Sequence, residues 1–130
     1  MPSSELGRLG AERFVSLTTV KRDGTGVPTA VWAAPDGQGH LLVWTGAQSG
    51  KVKRLRQTPA VTVAPCTQRG VVTGEAVPGT ARVLPETEMP RVEAAMARKY
   101  GVSFRLSTVA TRLGRLVGLN KGQVGVEITV

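Results

Sequence analysis

The chain has 130 residues, a formal net charge of +8, one cysteine, one histidine and only 4% aromatic residues. That length suits one domain, residues 1–130, with a real core, and the lone Cys66 excludes an intramolecular disulfide framework and suits a reducing, cytoplasmic setting. The positive surplus calls for an anionic partner, but scarce rings argue against a base-stacking nucleic-acid surface and the apolar runs are too short for a membrane span.

Residues Ser4 to Glu12 predict a short amphipathic helix anchored by Leu6 and Leu9. Phe14 to Val20 then alternates at period two and meets Asp23-Gly24, a hairpin dipeptide, so Val27 to Trp32 reads as the return strand. A turn at Pro35 to Gly39 leads into a third strand, His40 to Thr45, which predicts a three-stranded meander. A helix beginning near Ser49 is stopped by Pro59, and Ala60 to Pro65 forms the next strand. Beyond a Thr67–Gly70 turn, Val71 to Leu84 reads as a strand broken at Pro78-Gly79. Thr87 to Tyr100 predicts a helix with Glu88 and Glu93 early, Arg98 and Lys99 late and Gly101 at its end. Phe104 to Gly118 predicts another, and Val124 to Val130 a sixth strand. Six mostly antiparallel strands with inserted helices point to a small closed or split β-barrel of the α+β or all-β class.

The helix after Ser49 breaks the dipole rule that the Thr87–Tyr100 helix obeys. Before Ser49 four basic residues (Arg8, Arg13, Lys21, Arg22) balance four acidic ones (Glu5, Glu12, Asp23, Asp36), so the surplus of eight begins at Lys51. Lys51, Lys53 and Arg54 crowd the positive end of a helix, where each cation is disfavoured by about 0.3–1 kcal/mol. An anion held by Ser49, the free backbone N–H groups and Lys51 would compensate. A solvated basic face is the other reading of the same residues.

Other chemistry is absent. His40 stands alone beside a turn, so no Cys/His metal site can be assembled and no metal is expected. Cys66 closes a buried-looking strand with no flanking cation to activate it. Nucleophile elbow, Walker loop and dinucleotide fingerprint are all missing, and no catalytic side chain can be named. Redox chemistry on an organic cofactor would need none.

The sequence Trp44-Thr45-x-x-x-Ser49-x-Lys51, followed by Leu55 and Thr58-Pro59-Ala60-Val61, resembles the pyridoxamine 5′-phosphate oxidase-like split-barrel flavoproteins. With Phe14 to Thr19, Val27 to Trp32, Gly50 to Arg56 and Gly79 to Val83, it is most similar to their small deazaflavin-dependent branch. The resemblance implies a six-stranded antiparallel split barrel of the FMN-binding type and a homodimer with the cofactor at the subunit interface. It implies coenzyme F420, with FMN as the alternative, and hydride transfer to a conjugated organic acceptor. A non-catalytic flavin or tetrapyrrole carrier is a further alternative.

By the same resemblance Thr45, Ser49 and Lys51 would take the phosphate, within the motif that also holds Trp44 and Gly50. Thr29, Ala30 and Val31 would line the ring through backbone contacts, Arg69 would stand near it, and Lys53, Arg54 and Arg56 would meet an anionic tail. Arg105, Arg112 and Arg115 offer a second basic stripe, for which a solvated face is the competing reading. The oxidases place an arginine and a lysine at the ends of the second strand, where this chain has Thr29 and Ala34. That departure argues against pyridoxamine phosphate oxidation.

Overall fold

The computed structural model describes residues 2–101, 104, 106 and 122–130. Helix α1, Pro2–Gly10, leads to β1, Phe14–Val20, and β2, Gly26–Val31. These two strands pair antiparallel from Val20↔Gly26 to Val15↔Val31, as the hairpin signal requires. The turn is held by Asp23, whose Oδ1 accepts the Thr25 N–H at 2.9 Å. After a break at Trp32 come β3, Ala33–Pro35, and β4, Leu41–Gly46, paired with each other. Helix α2, Gly50–Gln57, then precedes β5, Ala60–Cys66, and β6, Val77–Val83. Helix α3, Met89–Tyr100, and β7, Gln123–Thr129, complete the described elements.

The seven strands run in the order β2-β1-β5-β6-β7-β4-β3. Its two ends, β2 and β3, are successive segments of one chain bent at Trp32, so the sheet curls back on itself as a barrel. The expected count of six becomes seven because Ala33–Pro35, left between the second strand and the turn, pairs with β4 as a strand of its own. The expected three-stranded meander is not formed: β4 lies between β7 and β3, and β2 pairs with β1. A second correction concerns Val71 to Leu84. Only a Cys66↔Val72 bridge precedes β6, and Pro78-Gly79 lies inside that strand, opposite Thr62 and Val61. Glycine suits residue 79 because a Cβ there would stand 2.7 Å from the Thr129 carbonyl oxygen. The expected helix from Phe104 to Gly118, with Arg105, Arg112 and Arg115, lies outside the described residues apart from positions 104 and 106.

Alternation along β4 divides two cores. Leu41 and Val43 point into the barrel with Leu17, Val31, Val63, Val126 and Ile128. Leu42 points outward and packs with Ala34, Leu84, Val92, Ala95 and Met96 under α3, with Trp32, Trp44 and Tyr100 against them. Burying each such aliphatic side chain stabilises the fold by about 1.5–3 kcal/mol. Helix α3 sits directly on β7, since a Cβ at Gly125 would come 2.5 Å from Val92 Cγ2. Its end is capped by Gly101, at φ 57°, with the Gly101 N–H donating to the Ala97 carbonyl at 3.0 Å.

The last turn of α3 is fastened to the barrel. Lys99 Nζ donates to the carbonyls of Glu12 and Ala33, both at 2.5 Å. The Tyr100 hydroxyl accepts the Ala33 N–H at 3.0 Å and donates to the Arg13 carbonyl at 2.9 Å. Burial pushes the Lys99 ammonium down to about 8, with the charge of Glu12 opposing it. Burial pushes the Tyr100 phenol up to about 12, against the Ala33 hydrogen bond and the Arg13 charge. An unfolded lysine keeps its proton to about 10.5. Unfolding therefore takes up a proton between those values, and stability rises with pH from about 8. Above about 10 the unfolded tyrosine ionises while the folded one does not, so this second contribution falls. Urea midpoints should therefore rise between pH 7 and 9 and turn over by pH 11. Lys99→Met should reduce the rise, leaving the part contributed by Lys51, whose ammonium is also held below the usual range, and Tyr100→Phe should soften the fall.

Candidate functional site

Helix α2 begins where β4 ends. The Ser49 N–H donates to the Gly46 carbonyl at 3.1 Å, and Ser49 takes the extended backbone of an N-cap, φ −69° and ψ 156°. The expected cap is only half realised, because the Ser49 side chain makes no capping bond. Its Oγ is buried without a hydrogen-bond partner among the described residues. Such an orphan costs about 1–3 kcal/mol unless something accepts or donates to it.

The cations of α2 are unmatched. Its first turn carries no acid, and no carboxylate pairs with Lys51, Lys53, Arg54 or Arg56 among the described residues. Lys51 is half-buried, and burial, with Arg54 adding to it, pushes its ammonium below the usual lysine range. Val52 and Leu55 are the residues of the helix buried in the core. Lys53 and Arg56 are exposed. Arg54 is not: its Nε donates to Thr19 Oγ1 at 2.6 Å, and Nη1 lies 2.8 Å from where a Gly50 side chain would begin. The bare glycine thus admits an arginine that ties α2 to β1.

Beside this helix start lies a cleft of about 290 Å³. Ala30, Val31, Trp44, Thr45 and Lys51 line it, joined by Phe14 and Trp32. Five of the residues singled out from the sequence are therefore brought to one place. Ser49 and Gly50 adjoin it through the first turn of α2. Thr29 stands next along β2, opposite Leu17, and Lys53 and Arg54 lie further along α2; none of the three belongs to the lining. Arg69 is exposed in the turn after β5 and is also outside the lining. A phosphate ester beside Lys51 would meet its ammonium, the adjoining orphaned Ser49 hydroxyl and unmatched N–H groups of α2, while Ala30 and Val31 would border an apolar ring. The residues present thus suit a phosphorylated ring cofactor.

A second polar group, not anticipated from the sequence, lies under α3. The side chains of Asp36, His40 and Glu127 bring their polar atoms within 4.8 Å of one another. The chain supplies its own cations there. Arg91 Nη2 donates to Glu127 at 2.5 Å and lies 3.7 Å from Asp36, and Arg82 Nε donates to Glu127 at 2.9 Å. Asp36 and His40 are four residues apart and meet at 3.1 Å, but Arg82, Arg91 and Glu127 come from distant segments, so spacing along the chain could not reveal the whole group.

The family profile of pyridoxamine 5′-phosphate oxidase matches residues 6–116. The chain belongs to that family. Pyridoxamine 5′-phosphate oxidase-like proteins are flavin-binding oxidoreductases on a split barrel, and the curled antiparallel sheet with short inserted helices is that fold. Among solved structures, a conserved hypothetical protein of Mycobacterium tuberculosis is similar at 24% identity and a TM-score of 0.65, over 100% of this chain and 81% of that one. An F420 reductase is similar at 17% identity and TM-score 0.59, over 94% and 90% of the two chains. A heme storage protein of Vibrio cholerae is similar at 14% identity and TM-score 0.63, over 97% and 87%. At these identities the likeness shows the fold alone. No curated protein matches the chain in sequence. No helix among the described residues is long and apolar enough to cross a membrane.

Proposed function

We propose that the chain is an F420-dependent oxidoreductase that reduces a conjugated organic acceptor in the cytoplasm. The observation that carries this reading is the unmatched charge of α2: a half-buried Lys51 beside an orphaned Ser49 hydroxyl, with exposed Lys53 and Arg56 leading away from the cleft. A single phosphate would engage the first two. A phosphodiester continued by carboxylates would engage the others as well, and coenzyme F420 carries such a tail.

In this reading Thr45, Ser49 and Lys51 bind phosphate, and the backbone of Thr29, Ala30 and Val31 borders the ring. Arg54, committed to Thr19, holds the helix in place and contributes charge at longer range. Arg69 reaches the ring only from a partner subunit or after movement of its exposed turn. Bound in its reduced form, the coenzyme supplies a hydride and leaves oxidised. The protein orients the two reactants, excludes water with Val31 and the tryptophans, and leaves the accompanying proton to solvent. A homodimer would give the open cleft its second wall.

Side-by-side titration of the purified protein with coenzyme F420 and with FMN tests this. Tighter binding of F420, with a dimer in sedimentation at micromolar concentration, is the expected result. Binding of FMN alone would leave the family assignment intact and overturn the deazaflavin reading.

A further inference from the structure

All the aromatic residues of this chain converge on one cleft. The sequence holds two phenylalanines, two tryptophans and one tyrosine. Phe14, Trp32 and Trp44 line the cleft. Tyr100 stacks on Trp32 with ring centroids 4.5 Å apart and planes 12° from parallel. Phe104 meets Trp44 edge-on, centroids 5.2 Å apart at 74°. Three aromatic residues therefore line the cleft and the other two pack on the tryptophans.

The bracing fixes Trp32 in particular. It occupies the bend between β2 and β3, and one face of its ring is covered by Tyr100. Tyr100 is itself anchored through its hydroxyl to the backbone of Ala33 and Arg13, and Lys99 Nζ lies 5.0 Å from its ring centroid. What Trp32 offers the cleft is the remainder of a ring that cannot readily turn. The same cleft also carries Thr45 and Lys51. It therefore combines a group that suits an anion with rings that suit a flat apolar molecule.

We propose that Trp32 and Trp44 bind the electron acceptor, and that the acceptor is a planar, conjugated, largely apolar molecule stacked on Trp32. Tyr100 acts through Trp32 as a positioning residue. This assignment rests on the oxidoreductase reading, since it names the substrate class of that same cleft.

Menadione, a flat naphthoquinone, is a suitable probe. Calorimetric titration of the ligand-free protein with menadione, and separately with coenzyme F420 and FMN, is compared for wild type, Trp32→Ala, Trp32→Phe and Tyr100→Phe. Trp32→Ala is expected to weaken menadione at least tenfold and leave cofactor affinity within twofold, with Trp32→Phe restoring most of the loss. Tyr100→Phe keeps the stacked ring and loses the hydroxyl anchor, so in turnover with reduced F420 it should raise KM for menadione several-fold with kcat little changed.

Absence of menadione binding in wild type would overturn the proposal. So would a Trp32→Ala protein that binds menadione normally, one that loses cofactor and menadione equally, or one that sediments as a monomer where wild type is a dimer, which would make the rings a subunit interface. A protein that binds neither F420 nor FMN, yet loses menadione on Trp32→Ala and regains it on Trp32→Phe, would sink the function reading and support the aromatic site.

Discussion

Lys51→Ala is expected to weaken binding of the phosphorylated cofactor by about 1.5–3 kcal/mol, the range for hydrogen bonds to charged groups, or roughly one to two decades in Kd. Stability of the ligand-free protein should stay level or rise slightly. Lys51 is a half-buried cation at the positive end of α2, with Arg54 as a second cation nearby and no carboxylate partner among the described residues. Its ammonium is already held below the usual range, so folding disfavours the charge and removing it relieves that cost. A bound phosphate reverses the sign, because an anion within contact distance favours the charged form. Lys53, being exposed, should matter less and mainly at low ionic strength, since such pairs are screened beyond about 8 Å at physiological salt. Fluorescence titration at fixed ionic strength decides the matter. Unchanged affinity in Lys51→Ala would return α2 to the status of a solvated face.

The elements were legible where a local signal and a local cause coincide. Asp23-Gly24 makes a hairpin because Asp23 bonds two residues ahead, and α3 ends at Gly101 because the chain there takes a positive φ. Strand neighbours were not legible in the same way. Alternation says that Leu41 and Val43 share a face, but it cannot say that β4 pairs with β7, more than 70 residues away. Both faces of β4 are apolar, one turned to the barrel and the other to α3, so periodicity could not distinguish them. Pro78-Gly79 misled for a related reason. A proline and a glycine read as a break unless one knows that β7 passes close enough to demand the glycine.

The cleft was partly legible. Thr45, Ser49 and Lys51 lie within seven residues, and their dissonance with the helix dipole is visible in the sequence. Trp32 and Phe14 carry no such signal, since an aromatic residue in a strand is ordinarily core. Only the bend at Trp32 and the stack with Tyr100 bring them to the same cavity. Arg54 is the opposite case: its charge was plain, but its commitment to Thr19, 35 residues earlier, depends on how α2 lies against β1.

Glu127→Gln should cost about 1.5–3 kcal/mol at pH 7. Glu127 is 8% exposed on β7 and accepts from Arg82 at 2.9 Å and Arg91 at 2.5 Å. Burial pushes its carboxyl up, but the hydrogen bonds and charges of Arg82 and Arg91, with His40, more than offset this and hold it below the usual range. Glutamine keeps the volume and loses the charge, and its amide nitrogen would face one guanidinium donor to donor. Arg82 is 60% exposed and can return to water, so most of the cost falls on Arg91, which also serves Asp36 and Glu88. A carboxylate whose folded pKa is depressed contributes stability above its unfolded value, about 4.5, and that contribution fades as pH falls through the folded value. The gap between wild type and Glu127→Gln should therefore be full at pH 7, shrink below about pH 4.5 and nearly close once Glu127 is protonated. Paired urea melts at pH 7, 5 and 3 measure it. An equal gap at all three would mean that shape, and not the ion pair with Arg91, is what Glu127 contributes.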